Sequence, residues 1–595
     1  MAKNPLAITA LFLLLSVSCG EKPAPEPPAP QGDVLLHTLF DMAAETPVVN
    51  SHAGDELYSA LQPVYRYFSV IPHGFLLKDL PESATDQKFS CYPRIKRLQD
   101  GSFVMFYHGG ELGSRVWCSL SPDLKQWSTP QMLYTPKEVR VEGESDWRRF
   151  VNPDAVVLPD GELLLVVSYR ASGHYGQGLD CGLSFRRSSD GGKTWDKAYE
   201  VPVGPNWEPY LLLLPDGTLH CYFTDAIPQT RNSGTGLIVS TDGGWTWAPK
   251  IRCCQQYKYD YYTPGREKPQ YNGQKIYTDQ MPCFRLLNDG KTLVGWLEAR
   301  LEKPTPSDCA DSDTYNSYCM MSLVRQHGLE WEDLTSYDVE KTGPADRESN
   351  VMRGAAGYIS TFPSGEVILS YNLSSRFYLK SGNAAATAWR GERWTDGTLC
   401  PLEEKGYWGS TEAFDGKFLA IAMHGTNGMQ VGLMYLNHRL DAQREAIVPD
   451  GDAAEWTSLR AFYLGAKDGS DAIVRAAYDA QNLYLAVEVR EEGTRPSDLM
   501  EILLKAGEKT VNVKLNASGL YSSSLPSVSA SARSAKTADG ESGYVCEVAV
   551  PLSALGVSAG DKLLCYVDRV ASGSRTAFSF AELSTPDTWQ RIQLQ

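Results

Sequence analysis

The sequence predicts an all-β protein, a six-bladed β-propeller followed by a β-sandwich domain. Three observations lead to this prediction: a short phrase that recurs six times, two nearly perfect copies of a turn motif that ends in tryptophan, and a change of pattern past residue 445. We expect the propeller to span residues 34–440 and the sandwich residues 446–595, after a signal peptide at 1–18 and a Pro-rich tether at 19–33. A chain of 595 residues is long enough for several domains of this size.

The recurring phrase predicts a strand, an Asp-Gly hairpin turn and a second strand. Asp-Gly supplies the positive φ angles that tight hairpins need. In the first four copies a proline precedes the turn glycine by eight residues, and the pairs are Pro93 and Gly101, Pro153 and Gly161, Pro209 and Gly217, and Pro282 and Gly290. The fifth copy (357–365) and the sixth (408–416) keep the spacing without the proline. Six such units at the spacing of propeller blades indicate six blades.

A second motif follows the phrase in the early blades. Residues 188–195 read Ser-Ser-Asp-Gly-Gly-Lys-Thr-Trp, residues 240–247 read Ser-Thr-Asp-Gly-Gly-Trp-Thr-Trp, and residues 121–127 are a degraded copy. This segment resembles the Asp-box of the sialidase-like propellers, which have six blades. We expect the aspartate and serine to cap a turn and the tryptophan to pack between sheets, so the motif identifies the fold rather than the chemistry.

The N-terminal segment predicts a lipid-anchored protein outside the cytoplasm. The apolar stretch 6–15 is too short to span a bilayer, and the small residues that end at Cys19 resemble the lipobox of bacterial lipoproteins. Cys19 is therefore the expected lipidation site, with anchoring to the outer membrane, and an ordinary cleaved secretion signal is the alternative. Disulfides are compatible with the remaining twelve of thirteen cysteines, but the sequence fixes no pairing.

Charge and cysteine spacing exclude several partners. The net charge of −16, with no long basic run, argues against nucleic acid and anionic membrane surfaces. No cysteine set has zinc spacing, so we expect neither a metal nor a cofactor.

The region past residue 445 resembles the family-9 carbohydrate-binding modules. The resemblance rests on the opening segment 450–456, the alternating strand 478–489 and the segment 547–555. It implies a β-sandwich and leaves open whether this domain binds a glycan.

The charged residues beside the repeat prolines are the first candidates for a site. The first strand of each blade starts near the channel mouth, and Arg94, Asp154 and Glu208 lie there, with Glu298 one strand later in blade four. Charged groups at a crowded centre are costly unless they are paired or used in function.

Two glutamates have the chemistry of glycoside hydrolysis. One carboxyl must donate a proton to the leaving oxygen while the other attacks or activates water. A buried Glu208 beside Trp207 would have a raised pKa, as a general acid requires. The sequence therefore predicts Glu208 and Glu298 as catalytic residues and Trp207 as a substrate contact.

The same residues resemble glycoside hydrolase family 93, a group of six-bladed retaining exo-α-L-arabinanases. The resemblance rests on segment 207–210 and its following strand, the Met281-Pro282 strand and its partner with Glu298, and segment 92–94. It implies that Glu208 is the acid/base and Glu298 the nucleophile of an extracytoplasmic exo-glycosidase acting on an oligo- or polysaccharide. The insertion 253–277 and the start of blade five at 351–354 depart from the pattern.

Two alternatives remain open at this stage. An exo-sialidase of the same superfamily would clamp a carboxylate with Arg94, Arg285 and Arg353, and would use Tyr407 as nucleophile beside Glu298, with Asp154 as acid. The sialidase phrase is Arg-Ile-Pro, whereas the order here is Pro93-Arg94-Ile95. The second alternative is a non-catalytic lipoprotein that binds glycans in the same pocket.

Overall fold

The computed structural model covers the propeller and the sandwich with gaps. It describes residues 34–36, 60–72, 90–109, 115–227, 232–256, 276–302, 317–337, 341–390, 393–394, 398–399, 402, 405–425, 428–437, 440–465, 471–490, 498–519, 521–537, 542–571, 574–577, 583–584, 586 and 589–595. The expected signal peptide, the tether and Cys19 lie outside the described residues.

Six antiparallel sheets form the propeller, which confirms the predicted fold class. Blade one consists of Ser90–Arg97, Phe103–Gly109, Val116–Ser121 and Gln131–Tyr134. Blade two consists of Glu144–Val157, Leu163–Ala171, Cys181–Ser188 and Tyr199–Val201, with the extra strand Lys137–Val141. Blade three consists of Asn206–Leu213, Leu219–Ile227, Asn232–Ser240 and Ile251–Cys254. The strands of blades four and five are Ile276–Leu286, Thr292–Glu302, Ser317–His327 and Asp346–Arg353; then Ala355–Thr361, Val367–Leu373, Arg376–Gly382 and Thr398–Leu399.

Blade six closes the ring with a strand from the other end of the chain. Its first three strands are Gly406–Phe414, Phe418–Gly425 and Gly428–Asn437, and its fourth is Ala60–Pro72. The pairing runs antiparallel from Ala60 opposite Asn437 to Pro72 opposite Gly428. The first strands of successive blades pack against one another, and that of blade six packs against that of blade one. These six strands therefore surround the central channel.

Each first strand carries a β-bulge at the recurring phrase. In blade one Cys91 pairs with His108 and Arg94 with Phe106, so Tyr92 and Pro93 together face one residue of the second strand. The same shift occurs in all six blades. Proline has no N–H to donate, and a bulge is one of the few places in a sheet that tolerates it. The repeated prolines thus mark the bulges.

The Asp-boxes are turn caps, as expected. The Asp190 carboxylate accepts hydrogen bonds from the Lys193 and Thr194 N–H groups at 3.0 and 2.8 Å and from the Thr194 hydroxyl at 2.6 Å. The Trp195 indole donates to the Gly192 carbonyl at 3.0 Å. The degraded copy has Leu124 at the position of Gly192, at a φ of 64°.

The C-terminal domain is a β-sandwich with a core between two sheets. One sheet holds Val34–Leu36, Ser529–Thr537, Ser542–Pro551, Asn482–Arg490, Asp471–Tyr478 and Ala461–Gly465; the other holds Gln590–Leu594, Lys562–Ala571, Leu499–Ala506, Lys509–Asn516, Tyr521–Ser523 and Ser574–Ala577; Leu440–Arg444 pairs with both. Within the described residues, the short helices are Tyr175–Gln177, Thr335–Tyr337, Ala453–Trp456 and Leu552–Leu555. Val34–Leu36, which the sequence assigns to the propeller, pairs with the sandwich in parallel.

The two domains share a buried contact. The Asn437 carboxamide, at the end of blade six, donates to the Tyr463 carbonyl at 2.7 Å and accepts the Tyr463 N–H at 2.8 Å. The Tyr463 and Ile473 side chains pack in one apolar cluster with Phe418 and Tyr435 of blade six.

Two further features bear on the sequence expectations. Within the described ranges, no helix is long and apolar enough to cross a membrane. The adjacent thiols of Cys253 and Cys254 are both buried and are not bridged.

Candidate active site

The bulges form a ring of strained residues at one end of the channel. Each first strand runs from its bulge to its Asp-Gly turn, so the bulges lie at the opposite end from those turns. The bulged residues have φ between 47° and 57°, and they are Tyr92, Asn152, Glu208, Met281, Ala356 and Trp408. Non-glycine residues adopt this conformation only where the surrounding structure imposes it. Glu208 is the carboxylate among these six residues. The bulge conformation of its backbone determines where its side chain lies.

A second ring of polar residues lies beside the first, on the second strands. The bulge N–H of one blade donates to a second-strand side chain of the preceding blade at four places. Asn152 donates to His108 Nδ1 at 3.1 Å, Met281 to Thr224 Oγ1 at 2.9 Å, Ala356 to Glu298 Oε2 at 2.7 Å and Trp408 to Asn372 Oδ1 at 2.9 Å. A polar acceptor at this position therefore has a structural role, because it satisfies a bulge N–H that has no partner in its own sheet. Glu298 is the carboxylate among these four acceptors.

The Glu208 carboxyl is held in a protonatable state. Its pKa is raised to about 7, first by burial and then by the neighbouring negative charge of Glu298, while the Thr224 hydroxyl and the Arg170 charge act in the opposite direction. The Thr224 hydroxyl donates to Glu208 Oε2 at 2.6 Å. The sequence expectation of a raised pKa at Glu208 agrees with this environment.

Glu298 is buried and fixed by two hydrogen bonds. Its exposed fraction is 6%. Besides the Ala356 N–H, which bonds Oε2, the Cys319 thiol donates to Oε1 at 3.2 Å. Both oxygens therefore have a defined orientation, as a nucleophile or a charge-stabilising carboxylate needs.

An aromatic and cationic wall lies next to Glu208. The Arg170 guanidinium stacks on the Trp207 ring at 3.4 Å, and Tyr175 meets the same ring edge-on with centroids 5.9 Å apart. Burial lowers the pKa of Arg170 to about 10, which leaves it charged at neutral pH. The predicted contact residue Trp207 is partly buried in this wall.

An apolar cluster lies at the level of the bulges. Cys91, Tyr92, Met281 and Ala356 pack in one buried cluster, which brings residues of blades one, four and five together. Three of these residues are bulge residues of the same ring as Glu208.

Arg94 and Asp154, two of the predicted site residues, are buried two residues after the bulges of their strands and have contacts inside the protein. The Arg94 guanidinium stacks 3.6 Å over Tyr92 and donates to the Pro93 carbonyl at 2.8 Å and the Trp408 carbonyl at 3.3 Å. Asp154 accepts the Leu211 N–H at 2.8 Å and pairs with Lys96 at 3.4 Å.

The other three predicted residues belong to blades four and six. Arg285 donates to the Tyr210 hydroxyl. Arg353 ends the outer strand of blade four, opposite Met320. Tyr407 is 44% exposed at the rim of blade six, where its hydroxyl bonds to that of Ser375. Substrate binding by Arg94, Asp154, Arg285, Arg353 and Tyr407 stays a prediction.

Three site residues were missed by the sequence reasoning. Thr224 lies in the strand after Glu208, and only the bulge brings its hydroxyl to that carboxyl. Arg170 has a visible signal, since it is the one charged residue of the fully buried strand Leu163–Ala171. Tyr175 lies in a connecting loop with no pattern that could have indicated it. Among the described residues, no cluster of three or more His, Cys, Asp or Glu side chains has the arrangement of a metal site.

Comparison with known proteins adds a relative of the propeller. No family model matches the chain. A sialidase of Micromonospora viridifaciens is 29% identical over 182 residues, which are 26% of this chain and 28% of that protein. The chain thus spans less than a third of the length of this curated relative. This similarity agrees with the six blades and the Asp-boxes, which are typical of the sialidase-like propellers.

The chain carries a six-bladed propeller of the sialidase-like type. An α-L-arabinanase of Penicillium chrysogenum, solved with arabinobiose, is 18% identical with a TM-score of 0.41 and covers 63% of this chain and 98% of that one. A family-9 carbohydrate-binding module of Caldicellulosiruptor kristjanssonii, solved with cellotriose, is 16% identical with a TM-score of 0.23 and covers 26% of this chain and 93% of that one. The predicted six-bladed propeller and the C-terminal sheet domain are both present, and the resemblance of that domain to the family-9 modules stays a prediction.

Proposed function

We propose that this sialidase-like propeller is an exo-acting glycoside hydrolase that uses Glu208 as acid/base and Glu298 as nucleophile. The observation that carries the proposal is the pairing of a carboxyl whose pKa is raised to about 7 with a second carboxylate that contributes to that shift. Environments that separate the protonation states of two nearby carboxyls are what glycoside hydrolysis requires. The exo-acting mode is proposed from the resemblance of these motifs to family 93.

The reaction would proceed in two displacements. In the first, the Glu208 carboxyl protonates the glycosidic oxygen while Glu298 attacks the anomeric carbon, so the leaving sugar departs as an alcohol and a glycosyl ester remains. In the second, the Glu208 carboxylate takes a proton from water, whose oxygen attacks the same carbon and releases Glu298. The anomeric configuration is retained.

The contacts of the arginines favour a neutral sugar over a sialic acid. The Arg94 guanidinium donates to two backbone carbonyls, and Arg285 donates to Tyr210. Arg353 lies at the end of an outer strand. An arginine clamp for a carboxylate needs three guanidinium groups that converge on one point. We therefore propose an arabinan-type substrate, in line with the family-93 motifs, and keep the exo-sialidase as the second candidate.

Hydrolysis by matched glutamine variants tests the proposal. We expect Glu208→Gln and Glu298→Gln each to lower kcat/KM on linear arabinan by at least about 1,000-fold, because each removes one half of the two-carboxylate mechanism. Glu547→Gln is the control, since Glu547 is also buried with a pKa raised to about 7 but lies in the sandwich. Proton NMR of the first product should show the retained anomer.

Two outcomes would replace the proposal. Hydrolysis of sialyllactose but not of arabinan, with loss of activity in Arg353→Ala, would move the assignment to a sialidase. Binding of arabino-oligosaccharides or sialyllactose without hydrolysis, unchanged in both glutamine variants, would establish a glycan-binding protein.

The location of the protein is a separate proposal. We propose that it is lipid-anchored at Cys19 outside the cytoplasm, on the strength of the lipobox-like segment before that cysteine. Metabolic labelling with a palmitate analogue should mark the membrane fraction of the wild type. Cys19→Ala should abolish the label, and a label that persists would refute the anchor.

A further inference from the structure

The wall of the channel mouth at blade two is extended by a hairpin. The first strand of this blade, Glu144–Val157, begins eight residues before the bulge at Asn152, and its first part pairs with Lys137–Val141. This partner adds to the edge of the first strand that faces the channel, because the other edge pairs with Leu163–Ala171. The hairpin therefore stands at the bulge end of the channel, on its inner side.

One indole of this hairpin is exposed. The Trp147 side chain has an exposed fraction of 55%. Arg149 pairs directly with Arg170 across the two strands, so both side chains lie on the same face of the sheet. Trp147 precedes Arg149 by two residues and shares that face. Because Arg170 stacks on Trp207 of blade three, this is the face that looks toward Glu208.

The backbone that carries Trp147 is held firmly. The Trp147 carbonyl accepts both the N–H and the hydroxyl of Ser172 at 3.0 Å. Next to it, the Asp146 carboxylate accepts the Gly173 N–H at 2.9 Å and contacts His174 Nδ1 at 2.7 Å. The same loop continues to Tyr175, which contacts Trp207. The exposed ring thus stands on a fixed base that is connected to the wall beside the acid/base.

A second exposed indole, that of Trp245, has a different environment and serves as a comparison. Trp245 is 60% exposed at the tip of the Asp-box of blade three, at the other end of the propeller. The Arg187 guanidinium covers one face of its ring at 4.0 Å. Among the described residues, no cation or aromatic ring stacks on Trp147. Its face is left for a ligand.

We propose that Trp147 is a stacking platform for a sugar ring on the leaving-group side of the cleaved bond. The inference rests on the proposed glycosidase function and specifies its substrate: a chain of at least several sugar units rather than a single terminal unit with a small aglycone. Sugar rings present flat C–H faces that pack on an indole, while their hydroxyls stay in water. A rigid platform loses little conformational entropy when the chain binds.

Two measurements on Trp147→Ala and the control Trp245→Ala test the proposal. With linear α-1,5-arabino-oligosaccharides of two to six units, kcat/KM of Trp147→Ala should fall about five-fold for the longer members and stay near the wild-type value for the shortest, because one stacking contact is worth about 1 kcal/mol. Trp245→Ala should follow the wild type at every length. In the second measurement, N-bromosuccinimide oxidises exposed tryptophans, and mass spectrometry reads each peptide. The hexamer should protect Trp147 and leave Trp245 reactive.

The outcomes separate this inference from the proposed function. Hydrolysis of the series with no length-dependent effect and no protection of Trp147 overturns the platform alone. Protection of Trp147 without hydrolysis supports the platform and overturns the glycosidase. If neither hydrolysis nor protection of Trp147 is observed, both the platform and the glycosidase function are overturned for this substrate class. A uniform loss at all lengths in Trp147→Ala would point to a general effect of the hairpin and would also overturn the platform.

Discussion

At the scale of single residues, the Thr224 hydroxyl takes part in two hydrogen bonds, one that supports the bulge of blade four and one that holds Glu208. Its hydroxyl oxygen accepts the bulge N–H of Met281 and its proton goes to Glu208. The equivalent residues His108 and Asn372 also accept a bulge N–H, but they belong to blades without a carboxylate at the neighbouring bulge position. In blade three the architectural bond therefore also fixes the direction in which the hydroxyl donates. Thr224 is a positioning residue for the proposed acid/base.

Replacement of Thr224 should move the pH profile. A hydrogen bond to the ionised carboxylate lowers the pKa of Glu208, so its loss in Thr224→Val should raise that pKa. Glu208 must be protonated in the first step, and the alkaline limb of kcat/KM should shift to higher pH by about one pH unit. Thr224→Ser keeps the hydroxyl and should keep the wild-type profile. A Val variant with lower activity and an unmoved alkaline limb would contradict the positioning role.

The Glu208 carboxyl should also make stability depend on pH. Its pKa is raised from about 4.5 to about 7 in the folded state, so the folded protein holds a proton that the unfolded chain releases. The free energy of unfolding should fall as pH rises from about 4.5 to about 7 and be level above that range. Glu208→Gln does not titrate, so it should stabilise the protein by about 1–3 kcal/mol at pH 8 and have little effect at pH 4.

Thermal unfolding of both proteins at pH 4 and pH 8 checks this pH dependence. The informative quantity is the difference between the variant and the wild type, since other carboxyls titrate equally in both. A difference that is the same at the two pH values would show that Glu208 is not held protonated.

The sequence singles out Glu208 as a charged residue beside a repeat proline and Glu298 as a second carboxylate one strand later in blade four, and their catalytic roles stay predictions. It could not assign the roles of Arg94 and Asp154 in the same way. Their spacing from the prolines is similar, but Arg94 lies under the Tyr92 ring and Asp154 is bonded to Leu211. Which charged residue faces the pocket depends on the bulge, and the bulge changes side-chain direction within two residues.

At the scale of elements, the recurring phrase combines a bulge and a hairpin turn. The Asp-Gly turn was predictable from two residues, since Gly161, for example, has a φ of 89°. The bulge was not predicted, although the proline before each turn was its signal. The fifth and sixth blades keep the bulge at Ala356 and Trp408 without a proline. The proline is therefore tolerated by the bulge rather than required for it.

The Asp-box should matter for stability and not for catalysis. Asp190→Ala removes an acceptor for two N–H groups and the hydroxyls of Ser188 and Thr194. We expect the free energy of unfolding to fall by about 1–2 kcal/mol, as for the loss of a helix cap. The box lies at the opposite end of the propeller from the bulges, so kcat/KM should be unchanged. Chemical denaturation and arabinan hydrolysis measure the two effects.

The degraded box supplies the comparison for that experiment. Asp123 accepts the Lys125 and Gln126 N–H groups at 2.8 Å, but Gln126 stands where the complete boxes have threonine. Asp123→Ala should therefore cost less than Asp190→Ala. An equal cost would show that the threonine hydroxyl contributes nothing, and a loss of activity in either variant would contradict the separation of scaffold and site.

At the scale of the whole molecule, the two domains are less separate than the sequence suggests. The change of pattern near residue 445 correctly indicated a second domain. It gave no sign that Tyr463 and Ile473 of that domain pack with Phe418 and Tyr435 of blade six. Contacts between residues of different domains leave no periodic trace in either one. The closing strand Ala60–Pro72 is a similar case, since its partner lies at the far end of the propeller sequence.

The shared contact should make the propeller and the sandwich unfold together. Asn437 is 1% exposed, and its carboxamide satisfies both backbone groups of Tyr463. Asn437→Ala leaves a buried N–H and a buried carbonyl without partners, which costs about 2–4 kcal/mol. We expect calorimetry to show one transition for the wild type and two for the variant, because the coupling between the domains is weakened.

Asn288→Ala is the control for this experiment. The Asn288 carboxamide donates to the Pro363 carbonyl within the propeller at 2.8 Å, so its loss should lower the stability without dividing the transition. Two transitions in the wild type, or a single one in Asn437→Ala, would mean that the buried contact does not couple the domains.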